Sequence, residues 1–112
     1  MTRERRRHIR VKGPFDGCRV GLLDMSVEIY DLSEGGCFVN SVHDAPEVGR
    51  RFTLRIDVPG QPSITVEAAT CYARPGGYAV QFVDLSENTK FQLKMAVARI
   101  QSGDPEDESS RI

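Results

Sequence analysis

Arginines near the N-terminus are the first residues whose type and spacing suggest a chemistry. The chain reads Arg5-Arg6-Arg7-His8-Ile9-Arg10 in this segment. A guanidinium group is planar and always charged, so it can fork onto a phosphate, bond the O6/N7 edge of guanine or stack on a base. The segment therefore suits a ligand that combines phosphate with a purine. Taken alone, the simpler interpretation is a solvated basic tail that touches nucleic acid or acidic lipid weakly.

A second polar cluster lies between two strand-like segments and reads Asp31-Leu32-Ser33-Glu34-Gly35-Gly36. The Asp31 carboxylate can accept paired N–H bonds from the N1/N2 edge of guanine, and the Ser33 hydroxyl can donate to a phosphate oxygen or cap a backbone group. Glycine at position 36 lets the backbone approach a ligand closely or adopt a positive φ. Asp, Ser and Gly are also the usual turn residues, so an ordinary turn is the alternative interpretation.

Charge is distributed unevenly along the 112 residues, although the net charge is only −1. Residues 1–12 carry six cations against Glu4, a balance of +5, whereas residues 102–112 carry four acids against Arg111, a balance of −3. The basic end therefore suits a phosphate ligand or another polyanion. No apolar run approaches the about 18 residues of a spanning helix, and none follows the basic N-terminus as a secretory signal would require.

The cysteines and histidines argue against a metal site and against catalysis. Cys18, Cys37 and Cys71 are widely spaced without a CxxC pair, and His8 and His43 stand alone, so we expect no zinc site. Three unpaired thiols without a secretory signal predict a cytoplasmic location. We interpret Cys37 and Cys71 as small apolar residues facing the core. No GxSxG elbow or HExxH pair occurs, so we expect a non-enzymatic protein without a cofactor.

Alternating apolar and polar residues predict a series of short strands. The clearest is Phe52–Val58, whose even positions are apolar and whose odd positions are polar or charged. The other predicted strands are Cys18–Leu23, Val27–Tyr30, Cys37–Val39, Ile64–Tyr72 and Tyr78–Phe82. Short turns and small size favour a mostly β protein in which six antiparallel strands close into a barrel, because closure removes the edges.

A helical pattern replaces this alternation after Ser86, which could cap a helix. No proline or glycine occurs from Asn88 to Gln101, where Phe91, Met95 and Ala98 share a stripe that Leu93, Ala96, Val97 and Ile100 widen. We therefore predict a flexible basic arm over residues 1–14, a barrel with a C-terminal helix over residues 15–101, and a disordered acidic tail over residues 102–112.

Together, the basic segment and the polar loop resemble the PilZ domain family. Arg6 and Arg10 stand as RxxxR, and Asp31, Ser33 and Gly36 stand as DxSxxG about 20 residues later. The succession of alternating strands and a final helix also matches, so the resemblance runs from about Arg5 to Ile100.

The arginine motif can be aligned in two ways, because Arg3 and Arg7 also satisfy RxxxR. We prefer Arg6 and Arg10, because the apolar run that begins at Val11 follows Arg10 directly, as it does in the family.

The resemblance implies a split-barrel fold that binds cyclic di-GMP, often as an intercalated dimer of two ligand molecules. By position, Arg6 and Arg10 would bind phosphate and guanine, with Arg5 and Arg7 adding stacking or charge. Asp31 would read a guanine edge. Ser33 would bond the ligand or order the loop, and Gly36 would give the ligand room. Arg74, which we place on the loop before Gly76, is a secondary candidate for ligand contact.

The resemblance further implies a second-messenger receptor of the bacterial cytoplasm whose arm wraps the ligand and signals to a protein partner. A protein-interaction module with the same fold and no nucleotide is the alternative function. A nucleic-acid-binding barrel is disfavoured, because the rest of the chain is acidic and lacks an aromatic stripe for base stacking. One aspartate and a few arginines would suit another cyclic dinucleotide as well.

Overall fold

The alternation of apolar and polar residues places one face of each strand inside a closed barrel. The computed structural model describes residues 9–41 and 45–102. In chain order the described elements are β1 (Phe15–Val20), β2 (Met25–Tyr30), β3 (Gly36–Asn40), β4 (Arg51–Asp57), β5 (Ile64–Arg74), β6 (Gly77–Val83) and α1 (Glu87–Gln101). The strands pair antiparallel in the order β1-β2-β3-β6-β5-β4, and β4 pairs back with β1. The predicted six-stranded antiparallel barrel with a C-terminal helix is confirmed.

The largest error in the predicted boundaries concerns the first strand. β1 ends at Val20, so the predicted strand Cys18–Leu23 starts and ends too late. The residues after Val20 form a turn in which Asp24 Oδ1 accepts a hydrogen bond from the Gly21 backbone N–H at 3.1 Å. Leu22 and Leu23 are exposed there, so the strand prediction was extended too far by two apolar residues that belong to a turn.

The core fills the barrel and continues beneath the helix. Its fully buried members include Ile29, Val39, Leu54, Ile56 and Tyr78 from the strands and Leu93 and Ala96 from α1. Because neighbouring strands are antiparallel, β1, β3 and β5 begin at the same end of the barrel at which β2, β4 and β6 end. We call this the loop end. Arg10, the Asp-Ser-Gly loop and the start of α1 all adjoin it.

The helix begins as the sequence predicts but presents two different apolar faces. Ser86 caps it, since the Ser86 hydroxyl accepts a hydrogen bond from the Thr89 backbone N–H at 3.1 Å. Leu93 is buried against the barrel, whereas Phe91 and Met95 are exposed. Residues two positions apart lie about 200° apart on a helix. The apolar residues therefore form two opposite stripes rather than one broad buried face.

The pairing of β3 with β6 requires a glycine at position 36. A Cβ atom at Gly36 would overlap the carbonyl oxygen of Val80, which belongs to the opposing strand. Gly36 stands opposite Gln81 in the ladder, so the two backbones meet at this point without an intervening side chain. The last residue of the DxSxxG motif is thus required by the fold itself.

We predict that Gly36→Ala lowers the free energy of unfolding by about 1–3 kcal/mol, because the added methyl group forces the two strands apart. Urea denaturation of both proteins would measure the difference. Gly21→Ala is the matched control, since the nearest atom to its added Cβ is Leu23 O at 3.9 Å. Equal losses in the two variants would contradict the assignment.

Candidate ligand-binding site

A backbone bridge fixes the end of the basic segment to the polar loop. The Val11 N–H donates to Leu32 O and the Leu32 N–H donates to Val11 O, each at 2.7 Å. Both side chains are buried in the hydrophobic core. Two hydrogen bonds and two buried side chains thus bring Arg10, the last residue of the predicted arginine motif, to the predicted Asp-Ser-Gly motif at the loop end.

Arg10 and Asp31 form an ion pair beside this bridge. Arg10 Nε lies 3.4 Å from Asp31 Oδ1, and the two side chains are 33% and 30% exposed. Asp31 has a φ of 61°, a conformation that aspartate tolerates better than most residues. A guanidinium has five N–H donors and a carboxylate has two oxygens, so the pair keeps hydrogen-bonding capacity toward a ligand. The structure therefore places one candidate residue from each motif in a single half-exposed site.

Ser33 orders the loop from a buried position. Its hydroxyl accepts hydrogen bonds from the backbone N–H groups of Gly35 and Gly36, each at 3.2 Å, and donates to Gly36 O at 3.2 Å. The Phe82 N–H donates to Gly35 O at 2.9 Å, which ties the loop to β6. Of the two roles expected for Ser33, loop ordering is the one its contacts perform.

Arg74 lies at the end of the barrel opposite the loop end, and its guanidinium stacks on the ring of Phe38. It is the last residue of β5, so the prediction that it stands on a loop is wrong: β5 continues past Tyr72 through a β-bulge. Arg74 Cζ lies 4.3 Å from the centroid of the Phe38 ring. That ring covers Gly77, where a Cβ atom would clash with it.

Two aromatic residues near the site escaped the sequence interpretation. Phe38 stands opposite Tyr30 in the ladder between β2 and β3, and Tyr30 directly precedes Asp31. Tyr30 is 38% exposed and Phe38 is buried. Strand alternation could have found them, because each is an aromatic residue at a position that points away from the core. They extend the surface beside Asp31 toward Arg74.

The Cys37 thiol is buried and close enough to Arg10 and Asp31 to be affected by both charges. Burial raises its pKa far above the ordinary value, while the Arg10 charge lowers it and the Asp31 charge raises it. Cys37 therefore faces the core as expected. Cys71 does not: it is exposed, because it follows the inward-facing Thr70 at the bulge of β5.

Several residues singled out in the sequence fall outside the part of the chain that the structure describes. Arg5, Arg6, Arg7, His8, His43 and the acidic residues after position 102 lie outside the described residues. Within residues 9–41 and 45–102, no three His, Cys, Asp or Glu side chains lie close enough to hold a metal ion. In the same part of the chain, α1 is neither long enough nor apolar enough to cross a membrane.

We predict that the fold weakens as the pH rises past 9.0, the ordinary pKa of a thiol. Burial raises the pKa of Cys37 and of Tyr78 in the folded protein, so both keep protons that the unfolded chain releases. Rising pH therefore favours the unfolded state. Urea denaturation at a series of pH values would show the decline.

Cys37→Ala should make this decline shallower, because it removes one of the two groups. Cys71→Ala, which removes an exposed thiol, is the matched control and should leave the decline as in the parent. An unchanged slope in Cys37→Ala would contradict the role of the buried thiol.

Comparison with known proteins places this geometry in a family. The sequence matches the profile of the PilZ domain over residues 3–99. The PilZ domain with c-di-GMP of YcgR from Escherichia coli has a similar structure, with 17% identity, a TM-score of 0.76, and coverage of 97% of this chain and 100% of that chain. No curated protein sequence matches.

Two longer proteins share the fold. The structure of YcgR in complex with c-di-GMP from Escherichia coli has 20% identity and a TM-score of 0.75, covering 96% of this chain and 51% of that chain. The Bacillus subtilis inhibitor of motility (MotI/DgrA) has 17% identity and a TM-score of 0.72, covering 89% and 53%. This chain spans about half the length of each. Since the family profile spans both the arginine motif and the Asp-Ser-Gly motif, the chain belongs to the PilZ domain family.

Proposed function

We propose that this PilZ domain is a receptor for cyclic di-GMP and that Arg10 and Asp31 form the centre of its binding site. The ion pair between them carries the proposal, because it brings one residue of each motif into a single partly exposed site. Family membership supports it, as do the c-di-GMP complexes of YcgR, whose fold this chain shares. The domain acts by binding rather than by catalysis.

The chemistry of the pair fits a guanine nucleotide. Asp31 accepts N–H bonds from the N1/N2 edge of guanine, and Arg10 turns its remaining donors to a phosphate or to the O6/N7 edge. Ser33 holds the loop in shape from below, and its buried hydroxyl is already engaged there. Gly36 keeps β3 close to β6. The loop is therefore prepared for the ligand, which limits the ordering cost of binding.

The arginines upstream of Arg10 complete the site in this proposal. Arg6 is four residues from Arg10, and four extended residues span at most about 14 Å, so Arg6 can reach a phosphate held by Arg10. Arg5 and Arg7 add charge and planar stacking surface. Binding orders the arm over the loop end and changes the surface that a protein partner meets.

Arg74 has a secondary part. One face of its guanidinium already stacks on the Phe38 ring, and the other face can stack on a base. In an intercalated pair, the second ligand molecule then lies along Tyr30 and Phe38, between Asp31 and Arg74. Arg74 then affects the number of ligand molecules bound more than the affinity for the first one.

We predict that Arg10→Ala and Asp31→Ala each weaken cyclic di-GMP binding by about 10- to 150-fold, the equivalent of losing about 1.5–3 kcal/mol of charge-assisted hydrogen bonding. Calorimetric titration gives the affinity and the stoichiometry together. Arg74→Ala should lose less affinity than either.

Arg51 and Asp84 provide matched controls, because Arg51 Nη1 and Asp84 Oδ2 form a second arginine–aspartate pair at 2.7 Å. Asp84 also has a positive φ, 51°, so Asp84→Ala reproduces the backbone effect of Asp31→Ala. Both controls should bind as the parent does. Parent-like binding by Arg10→Ala would overturn the site, and a parent that takes up no cyclic dinucleotide would favour the interaction module.

We further predict that saturating cyclic di-GMP slows amide hydrogen exchange in residues 2–10, because the arm becomes hydrogen-bonded to the ligand. Mass spectrometry of peptides from this segment measures the change, and residues 103–112 serve as an internal control. Unchanged exchange in a complex verified by calorimetry would contradict arm ordering while leaving the receptor assignment in place.

A further inference from the structure

A groove on the outer face of the barrel adjoins the aromatic surface beside the candidate site. It has a volume of about 570 Å³ and is lined by residues of the first three strands and of the β5–β6 turn. Glu28 and Asn40 line it and stand opposite each other in the ladder between β2 and β3. Tyr30 and Phe38 form another pair of that ladder, two positions along each strand. Residues two positions apart share a face of a sheet, so the groove and the aromatic surface are continuous.

Arg74 is in register with this groove across the sheet. Gly77 stands opposite Asn40 on one side and opposite Arg74 on the other, which completes a row with Glu28 across four strands. The Phe38 ring lies over Gly77, where a Cβ atom would clash with it. The Arg74 guanidinium in turn stacks on that ring. It is thereby carried from β5 to β3, one strand away from Glu28.

The Glu28 carboxylate is exposed and has no cationic partner within residues 9–41 and 45–102. Asp16, which also lines the groove, stands directly opposite it on β1 and equally lacks a cation among the described residues. Like charges directly opposite on neighbouring strands destabilise a sheet, so the fold gives no reason for this pair. Carboxylates accept hydrogen bonds and donate none. The groove therefore suits the N–H groups of a ligand and disfavours its phosphates.

The hydrogen-bonding edge of guanine matches Glu28 and Asn40. Guanine presents the N1–H and N2–H donors beside the O6 acceptor, so a carboxylate can accept from the first two while an amide N–H donates to the third. Adenine presents an unprotonated N1 instead, and its lone pair repels a carboxylate. A base that stacks on the outer face of the Arg74 guanidinium lies beside both side chains.

The spacing between Glu28 and Asp31 fits a stack of four bases. Three residues of extended strand separate the two carboxylates by about 10 Å. Neighbouring bases in a stack are about 3.4 Å apart, so the first and the fourth are also separated by about 10 Å. Two intercalated cyclic dinucleotides supply four bases. One carboxylate therefore stands at each end of such a stack.

We propose that Glu28 and Asn40 bind the guanine edge of the second ligand molecule, whose base stacks on Arg74. This inference rests on the proposed receptor function and deepens it, because it adds a second point of guanine recognition to Asp31. The ligand phosphates lie toward Arg10 and Arg74, since the Glu28 carboxylate repels them.

Calorimetric titration of the full chain with cyclic di-GMP tests the role of Glu28. Glu28→Gln should keep the first binding step and weaken the second by about 5- to 100-fold, because the amide cannot accept from both N1–H and N2–H. A carboxylate that merely stands near the ligand predicts the opposite sign. Removing its negative charge would then tighten the binding of an anionic ligand.

The inosine analogue of cyclic di-GMP, which lacks the N2 amino groups, identifies the contact itself. Replacing cyclic di-GMP by this analogue should cost less affinity in Glu28→Gln than in the parent, because the variant has already lost the acceptor for N2–H. Glu67→Gln is the matched control, since it makes the same change on β5, seven residues before Arg74. It should bind both ligands as the parent does.

Three results would overturn this assignment and leave the receptor function in place. They are a parent that binds a single cyclic di-GMP molecule, second-step binding in Glu28→Gln as tight as in the parent or tighter, and an equal cost of the inosine analogue in both proteins. A parent that takes up no cyclic di-GMP would overturn the receptor function and this inference together.

Discussion

The backbone bridge between Val11 and Leu32 joins two segments that lie 21 positions apart in the sequence. Both residues are buried, so the bridge is held by apolar packing as well as by two hydrogen bonds, and water does not compete for it. It brings Arg10 to Asp31 and sets the point from which the upstream arginines extend. The candidate site exists because Val11, the residue after Arg10, is packed into the hydrophobic core and therefore keeps Arg10 next to Asp31.

The residues of the polar loop and its partner Arg10 meet two kinds of requirement. Ser33 and Gly36 satisfy the fold, the first through hydrogen bonds inside the loop and the second through the close approach of β3 to β6. Arg10 and Asp31 remain partly exposed and paired only with each other's charge in the described contacts. A receptor can therefore keep a rigid loop while offering charged groups to a ligand, because different residues carry rigidity and recognition.

Helix α1 has one face in the core of the domain and another face exposed on its surface. Its inner face belongs to the same hydrophobic core as Val11 and Leu32, so the residue that follows Arg10, the polar loop and α1 all contribute to one continuous apolar cluster. Its outer face presents Phe91 and Met95 to the surroundings.

Much of this protein follows from the sequence alone. Alternation in Phe52–Val58 and its neighbours predicted the antiparallel barrel, because a period of two separates a buried from a wet face, and Ser86 predicted the helix start. The motif residues Arg10, Asp31, Ser33 and Gly36 were also identified there. Only the tertiary structure decided which of them stabilise the loop and which stay exposed to a ligand, since burial and contacts depend on which strands become neighbours. The same reason explains the exposed Cys71, the stacking of Arg74 on Phe38 and the second stripe of α1: periodicity shows which residues share a face, but packing decides which face is covered.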